Sequence, residues 1–289
     1  MAVTTRTIRT SHGGIAVSET GGKDLAVLML HGNSSCKEVF NGQLQGELGD
    51  RFHLIAMDLP GHGASDDAVD PARTYSIPGF ADAAAETLET MGIDRAVVVG
   101  WSLGGHAALE MLPRFPGVIG LMLMATPPVN PTPESIQAGF LPNPLTGLLG
   151  KQDLNEEEVN ALASAVYGAA LDEQLLAALR RTDGRARALM FQGLFAGRVS
   201  NQRDLVQTTG VPLAMLNGAD DPFVNVAYIG SLAYKSLWDR HCYVLRGVGH
   251  AAFLKGRSFN AILARFLDEM AMTGHRWARS SYRKQAATA

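Results

Sequence analysis

The sequence predicts a mostly parallel, doubly wound α/β sheet interrupted by an inserted helical cap. Three observations carry this. Short runs that are apolar at nearly every position alternate with stretches of helical periodicity, as in strands buried on both faces and joined by crossover helices. The alternation stops over residues 127–208, which open proline-rich ("TPPVNPTPE") and continue as helix only. It then resumes and closes on a last helical stretch.

Taken in order, "VTTRTIRT" and "GIAVSET" alternate in polarity and read as two antiparallel strands joined at "SHGG". "LAVLMLH", "FHLIAMD", "RAVVVGW" and "VIGLMLMA" are the near-continuous apolar runs of buried parallel strands. "FADAAAETLETMG" and "SLGGHAALEMLPRF" carry helical spacing between them. In the insertion, "NEEEVNALASAVYG" starts at Asn155 with three glutamates in its first turn, where capping and the helix dipole favour them. "DEQLLAALRR" and "RARALMFQGLF" follow as helices. "VPLAMLNG", "HCYVLRG" and "FNAILARFLDEMA" return to strand, strand and helix. The expected organisation is a core of residues 1–126 and 209–274, a cap of 127–208, and a flexible polar tail of 275–289.

Composition narrows the class. With 289 residues, 46% of them hydrophobic, the chain can bury a large core. A net charge of -3 gives no electrostatic footprint for nucleic acid or an anionic membrane. No apolar run is long enough to span a bilayer, and "MAVTTRTIRTSHGG" lacks the basic-then-apolar pattern of a secretory signal. Two cysteines, Cys36 and Cys242, make no disulfide framework, so a cytoplasmic location is expected.

The chemistry centres on "VVVGWSLGGHAALE". Gly100, Ser102 and Gly104 spell G-x-S-x-G after a buried strand and before a helix, the context of a nucleophile elbow rather than of a simple capping serine. A serine is a weak nucleophile at neutral pH and needs a base. Of eight histidines, His250 lies just past the last predicted strand, at the end of the sheet where such folds place their sites. His241 starts that same strand, His53 starts another, His12 is in the hairpin turn and His275 in the tail. His106 is one turn past the serine and points along its helix, and His62 is read as a loop-packing residue. The orienting acid should follow a late strand, where "NGADDPFVN" offers Asp220 and Asp221. Adjacent side chains on an extended turn diverge, and Asp221 is taken as the partner of His250. The order Ser102, Asp221, His250 is that of α/β hydrolases. Oxyanion donors are expected from the backbone N–H groups of Leu103 and of Asn33 in "LHGNSS". Trp101, beside the nucleophile, is either a pocket wall or a plain core residue. No ligand-spaced His/Cys set is present, so neither metal nor other cofactor is expected.

With these residues in place, the chain resembles the α/β-hydrolase superfamily over nearly its whole length, on "HGNSS", "DLPGHGAS", "GWSLGG", "NGADDPFV" and "GVGHA". A nearer resemblance is to the metal-independent N-acyl-homoserine lactonases of this fold, on "GWSLGGH", "TPPV", "RTDGRAR", "NQRD" and "NGADDPFV" at similar spacings. Three of those pieces lie in or beside the cap, where superfamily members diverge. The resemblance implies ring opening of acyl-homoserine lactones, the bacterial quorum signals, without metal. The acid before "PFV" is aspartate here and glutamate in that relative, and either can orient a histidine. The relative's lactone-contacting cap tyrosine has Leu162 in its place, and Tyr167, a turn and a half on, is the candidate to take over that contact.

Two other functions compete. One is a carboxylesterase for small acyclic esters, using the same three residues. The other is a ligand receptor that keeps the fold without turnover; it would need no complete set of serine, histidine and acid. A cofactor-free oxygenase is more remote, and dehalogenases or epoxide hydrolases carry aspartate at the elbow where this chain has Ser102. The expected partner is a small ester or lactone, with the oligomeric state left open.

Overall fold

The computed structural model describes the backbone of residues 2–22 and 25–286, with side chains through residue 273 except at Lys255. Eight strands form one sheet in the order β1-β2-β4-β3-β5-β6-β7-β8. They are β1 (Thr4–Thr10), β2 (Gly13–Glu19), β3 (Ala26–Leu30), β4 (His53–Met57), β5 (Ala96–Trp101), β6 (Val118–Met124), β7 (Leu213–Gly218) and β8 (Tyr243–Leu245). β1 pairs antiparallel with β2, and β2 antiparallel with β4; every pairing from β4 to β8 is parallel.

Burial follows position in the sheet. All six residues of β5, AVVVGW, are buried, because strands pair along both its edges and the helix that follows it packs against it. β1 is an edge strand whose threonines and arginines face solvent, with only Ile8 buried. Such an edge discourages further strand addition.

Core helices are α1 (Ile77–Thr90) and α2 (Leu103–Met111), which pack on each other beside the site, and the C-terminal α8 (Arg257–Ala286), which packs on β6. Between β6 and β7 lie α3 (Pro133–Gly139), α4 (Glu156–Tyr167), α5 (Glu173–Arg181), α6 (Gly184–Phe195) and α7 (Gln202–Thr208). α4 opens with a capping box. Asn155 accepts from the Glu158 N–H, and the Glu158 carboxylate accepts from the Asn155 N–H. α8 runs through the first part of the segment expected as a tail, and residues 287–289 of that segment lie outside the described residues.

The motif "RTDGRAR" fastens this insertion to the core. Arg181 donates to the Ser65 carbonyl and pairs with Asp67, and the Asp183 carboxylate accepts from the Tyr75 hydroxyl at 2.6 Å. Arg187, 4% exposed, donates to the carbonyls of Lys151 and Gln152 and to the Ser34 hydroxyl. Among the described residues, no helix is long and apolar enough to cross a membrane.

Candidate active site

β5 delivers Ser102 to the carboxyl end of the sheet, and α2 begins at the next residue. Between them the chain turns so sharply that Ser102 adopts φ 53°, ψ -117°. A non-glycine residue held at positive φ costs about 1–3 kcal/mol and persists only where its surroundings enforce it. Here the Ser102 N–H donates to the Met124 carbonyl at 2.8 Å, and α2 and β5 nearly touch. A Cβ on Gly100 would lie 2.4 Å from the Gly104 carbonyl oxygen, and one on Gly105 would lie 2.0 Å from Thr126 Oγ1. The glycines flanking the serine are therefore set by contact distance.

His250 and Asp221 meet after the last two strands. Asp221 Oδ2 lies 2.8 Å from His250 Nδ1, while Oδ1 accepts from the N–H groups of Phe223 and Val224 at 2.9 and 3.1 Å. The carboxylate is buried, which alone would raise its pKa. The charge and hydrogen bond of His250, with the two backbone donors, outweigh that and hold it below the usual aspartate value. The adjacent Asp220 is exposed. An Nδ1–H donated to Asp221 leaves Nε2 as the basic nitrogen.

Ser102 and His250 line the same pocket. Trp101, next to the serine, donates its indole N–H to the His250 carbonyl at 3.0 Å, with the two rings 5.5 Å apart. It is 1% exposed and lines the pocket, so pocket wall and core packing are one role rather than alternatives.

Asn33 and Leu103 line this pocket too. The Asn33 side chain donates to the Leu149 carbonyl at 2.8 Å and accepts from the Ser34 hydroxyl, to which Arg187 donates in turn. The loop is thus tied to the insertion from two sides. Beneath it, His31 Nδ1 donates to the Gly32 carbonyl and Nε2 accepts from the Leu59 N–H. Burial lowers the His31 pKa to about 4, so this ring is a neutral strut. His62 packs 5.2 Å from it and is driven down to about 3, first by burial and then by His31.

Tyr167 is placed differently from the sequence expectation. Its ring stands 6.0 Å from that of Trp101, but it lines an adjoining cavity that shares His250 and Val166 with the Ser102 pocket. Val166, one residue earlier on α4, takes the pocket position, and helical geometry turns its neighbour away. The Tyr167 hydroxyl is buried, with the Ser35 hydroxyl as its neighbour.

Two features escaped sequence reasoning. His106 lines the pocket, with Nδ1 2.7 Å from Gln202 Oε1. Arg187 props the Asn33 loop from α6. The only signals for either were "NQRD" and "RTDGRAR", which contain these partners. No group of three or more His, Cys, Asp or Glu placed to hold a metal occurs among the described residues.

Comparison with known proteins agrees with this architecture. The model of the Alpha/beta hydrolase family matches residues 27–262. The crystal structure of the N-acyl homoserine lactonase AidH superposes with a TM-score of 0.91 at 42% identity, covering 93% of this chain and 98% of that one. The pimeloyl-[acyl-carrier protein] methyl ester esterase of Stenotrophomonas maltophilia is 30% identical over 248 residues, 82% of this chain and 90% of that protein. An uncharacterized protein of Mycobacterium tuberculosis is 32% identical over 126 residues, and the match spans only 36% of that relative's length. With the family model spanning both the elbow strand and the His250 loop, the chain belongs to the alpha/beta hydrolase family.

Proposed function

We propose that this protein is a serine carboxylic-ester hydrolase that opens the lactone ring of N-acyl-homoserine lactones. The observation that carries the reading is the buried Asp221–His250 pair facing the same apolar pocket as Ser102. Ile77, Phe140, Leu149, Met190, Phe191 and Leu194 supply walls suited to an acyl chain. AidH, the relative at 42% identity, supports the substrate class. A form of it with a serine replaced by glycine is solved with N-hexanoyl homoserine lactone, and another form with the opened N-hexanoyl homoserine.

In this scheme Ser102 Oγ bonds to the lactone carbonyl carbon as its proton passes to His250 Nε2, and Asp221 steadies the imidazolium. The N–H groups of Asn33 and Leu103 receive the oxyanion; each such donor is worth about 3 kcal/mol of barrier. The ring C–O bond then breaks and His250 protonates the departing alkoxide, which stays tethered within the acyl-enzyme. Water, deprotonated by His250, attacks the acyl carbon and releases N-acyl-homoserine and free Ser102. Loss of the lactone would silence the signal, a quorum-quenching role. Cytoplasmic residence belongs to the same proposal and accords with free thiols at Cys36 and Cys242.

Mass spectrometry of a lactone panel tests the scheme. Products heavier by one water are expected with wild type and not with Ser102→Ala. A second reading, esterase action on acyclic esters, is favoured by the methyl ester esterase relative. Faster turnover of p-nitrophenyl esters than of every lactone would establish it instead. Binding of lactone without any turnover would point to a receptor.

A further inference from the structure

We propose that His106, held by Gln202, is the acceptor for the side-chain amide N–H of the lactone substrate and so selects acylamino lactones over lactones that lack that donor. The proposal rests on the lactonase reading above and adds a specificity residue to it.

The two side chains fix each other. Gln202 Oε1 is 2.7 Å from His106 Nδ1, and Gln202 Nε2 donates to the His106 carbonyl at 3.3 Å. Flipping the amide would set its oxygen against that carbonyl and its NH2 against the ring, so the second bond decides the orientation of the first. The oxygen faces Nδ1; Nδ1 therefore carries the proton and Nε2 is a bare acceptor. Gln202 is 1% exposed, starts α7, and donates its own N–H to the Val129 carbonyl at 3.2 Å, so the clamp is anchored in the "TPPV" segment. Burial lowers the His106 pKa, which keeps the ring neutral.

Its position suits the task. The His106 N–H donates to the Ser102 carbonyl at 3.1 Å, and both side chains line the same pocket. An acyl-homoserine lactone carries its amide nitrogen on the carbon next to the ring carbonyl. A carbonyl carbon seated on Ser102 thus brings one N–H donor within a few ångströms of the serine. The other polar side chains of this pocket already have tasks: Ser102 and His250 in bond cleavage, and Asn33 in its bond to the Leu149 carbonyl. With those three engaged, His106 Nε2 is the acceptor left without a task among the described residues of this mostly apolar lining, and it favours a ligand with a matching donor.

The test compares kcat/KM for ring opening of N-hexanoyl-homoserine lactone and of its isostere with oxygen in place of the amide N–H, products being identified by mass. The readout is the ratio of the two. Wild type should favour the amide by about tenfold, the scale of one net hydrogen bond. In His106→Asn, which keeps a donor toward Gln202 but has no atom at the Nε2 position, the ratio should fall to near one. His106→Gln, which can return an oxygen there, should recover part of it. Equal rates on both substrates with wild type would overturn the proposal without using any variant. So would a ratio that His106→Asn leaves intact. Failure of wild type to open either ring would overturn the lactonase reading itself, and this proposal with it.

Discussion

Replacing Asp221 by asparagine should lower kcat by about 10⁴-fold with little change in KM, through the tautomer of His250. The carboxylate has two faces. Oδ1 accepts two backbone N–H groups, from Phe223 and Val224, and Oδ2 accepts one from His250 Nδ1. Asparagine has one oxygen to offer. Placed at Oδ1, it keeps two bonds and turns the NH2 toward Nδ1, which must then lose its proton; the hydrogen moves to Nε2, where the base should be. The reverse placement restores the working tautomer but leaves two buried N–H groups facing a donor. At about 1–3 kcal/mol for each stranded group, the competent arrangement is disfavoured by about 2–6 kcal/mol, roughly 30-fold to 10⁴-fold. Loss of the carboxylate charge beside the imidazolium places the expected effect at the upper end. Initial rates of ring opening, with circular dichroism to establish that the variant is folded, measure it. Asp220→Asn, at the exposed neighbour, should stay within about twofold of wild type. A folded Asp221→Asn enzyme within tenfold of wild type would refute the reasoning.

Gly105→Ala forces a methyl to 2.0 Å from Thr126 Oγ1, itself bonded to the Met124 carbonyl, so it should cost about 3 kcal/mol and lower Tm by about 6 °C or more; an unchanged melt would argue against the close elbow packing. Acid should destabilise the fold between pH 6.5 and 5. His31 and His62, pushed down to about 4 and about 3 by burial, stay neutral while their unfolded counterparts bind protons, so stability is full above pH 6.5 and falls by about 1.4 kcal/mol per pH unit for each as pH drops. Urea midpoints at pH 7.5 and 5 test this, and equal midpoints would contradict it. Tyr167→Phe removes a buried hydroxyl whose only neighbour of note among the described residues is the Ser35 hydroxyl, so stability should stay within about 1 kcal/mol and the ring-opening rate should not change. A large loss of rate would mean that this hydroxyl reaches the lactone after all.

The sheet was legible because its strands are saturated with apolar residues. Val97, Val98 and Val99 can be buried together only in a strand covered on both faces. β8 was harder to bound: "HCYVLRG" reads as seven residues, but the strand is Tyr243–Leu245, at the sheet edge with one pairing neighbour. Local order also pointed to the Asp221–His250 pair, since each residue follows a strand of the same sheet end. What the sequence could not reveal are pairings set by three-dimensional closure. His106 and Gln202 are 96 positions apart, and Ser34 and Arg187 are 153 apart, with no periodicity linking them. The side of α4 that Tyr167 occupies was illegible for a different reason: counting residues along a helix gives distance along its axis, whereas the phase that sets Val166 on the Ser102 pocket and Tyr167 on the adjoining cavity depends on how α4 is docked.

The left-handed backbone at residue 102 has a consequence for how this protein tolerates change. Glycine would occupy φ 53° without the steric burden that serine's Cβ brings, so Ser102→Gly should relax the bend while deleting the hydroxyl. Screens that reward thermal robustness alone would drift toward that replacement and discard the chemistry. Improving durability without losing turnover therefore calls for changes remote from the elbow, leaving its tension in place.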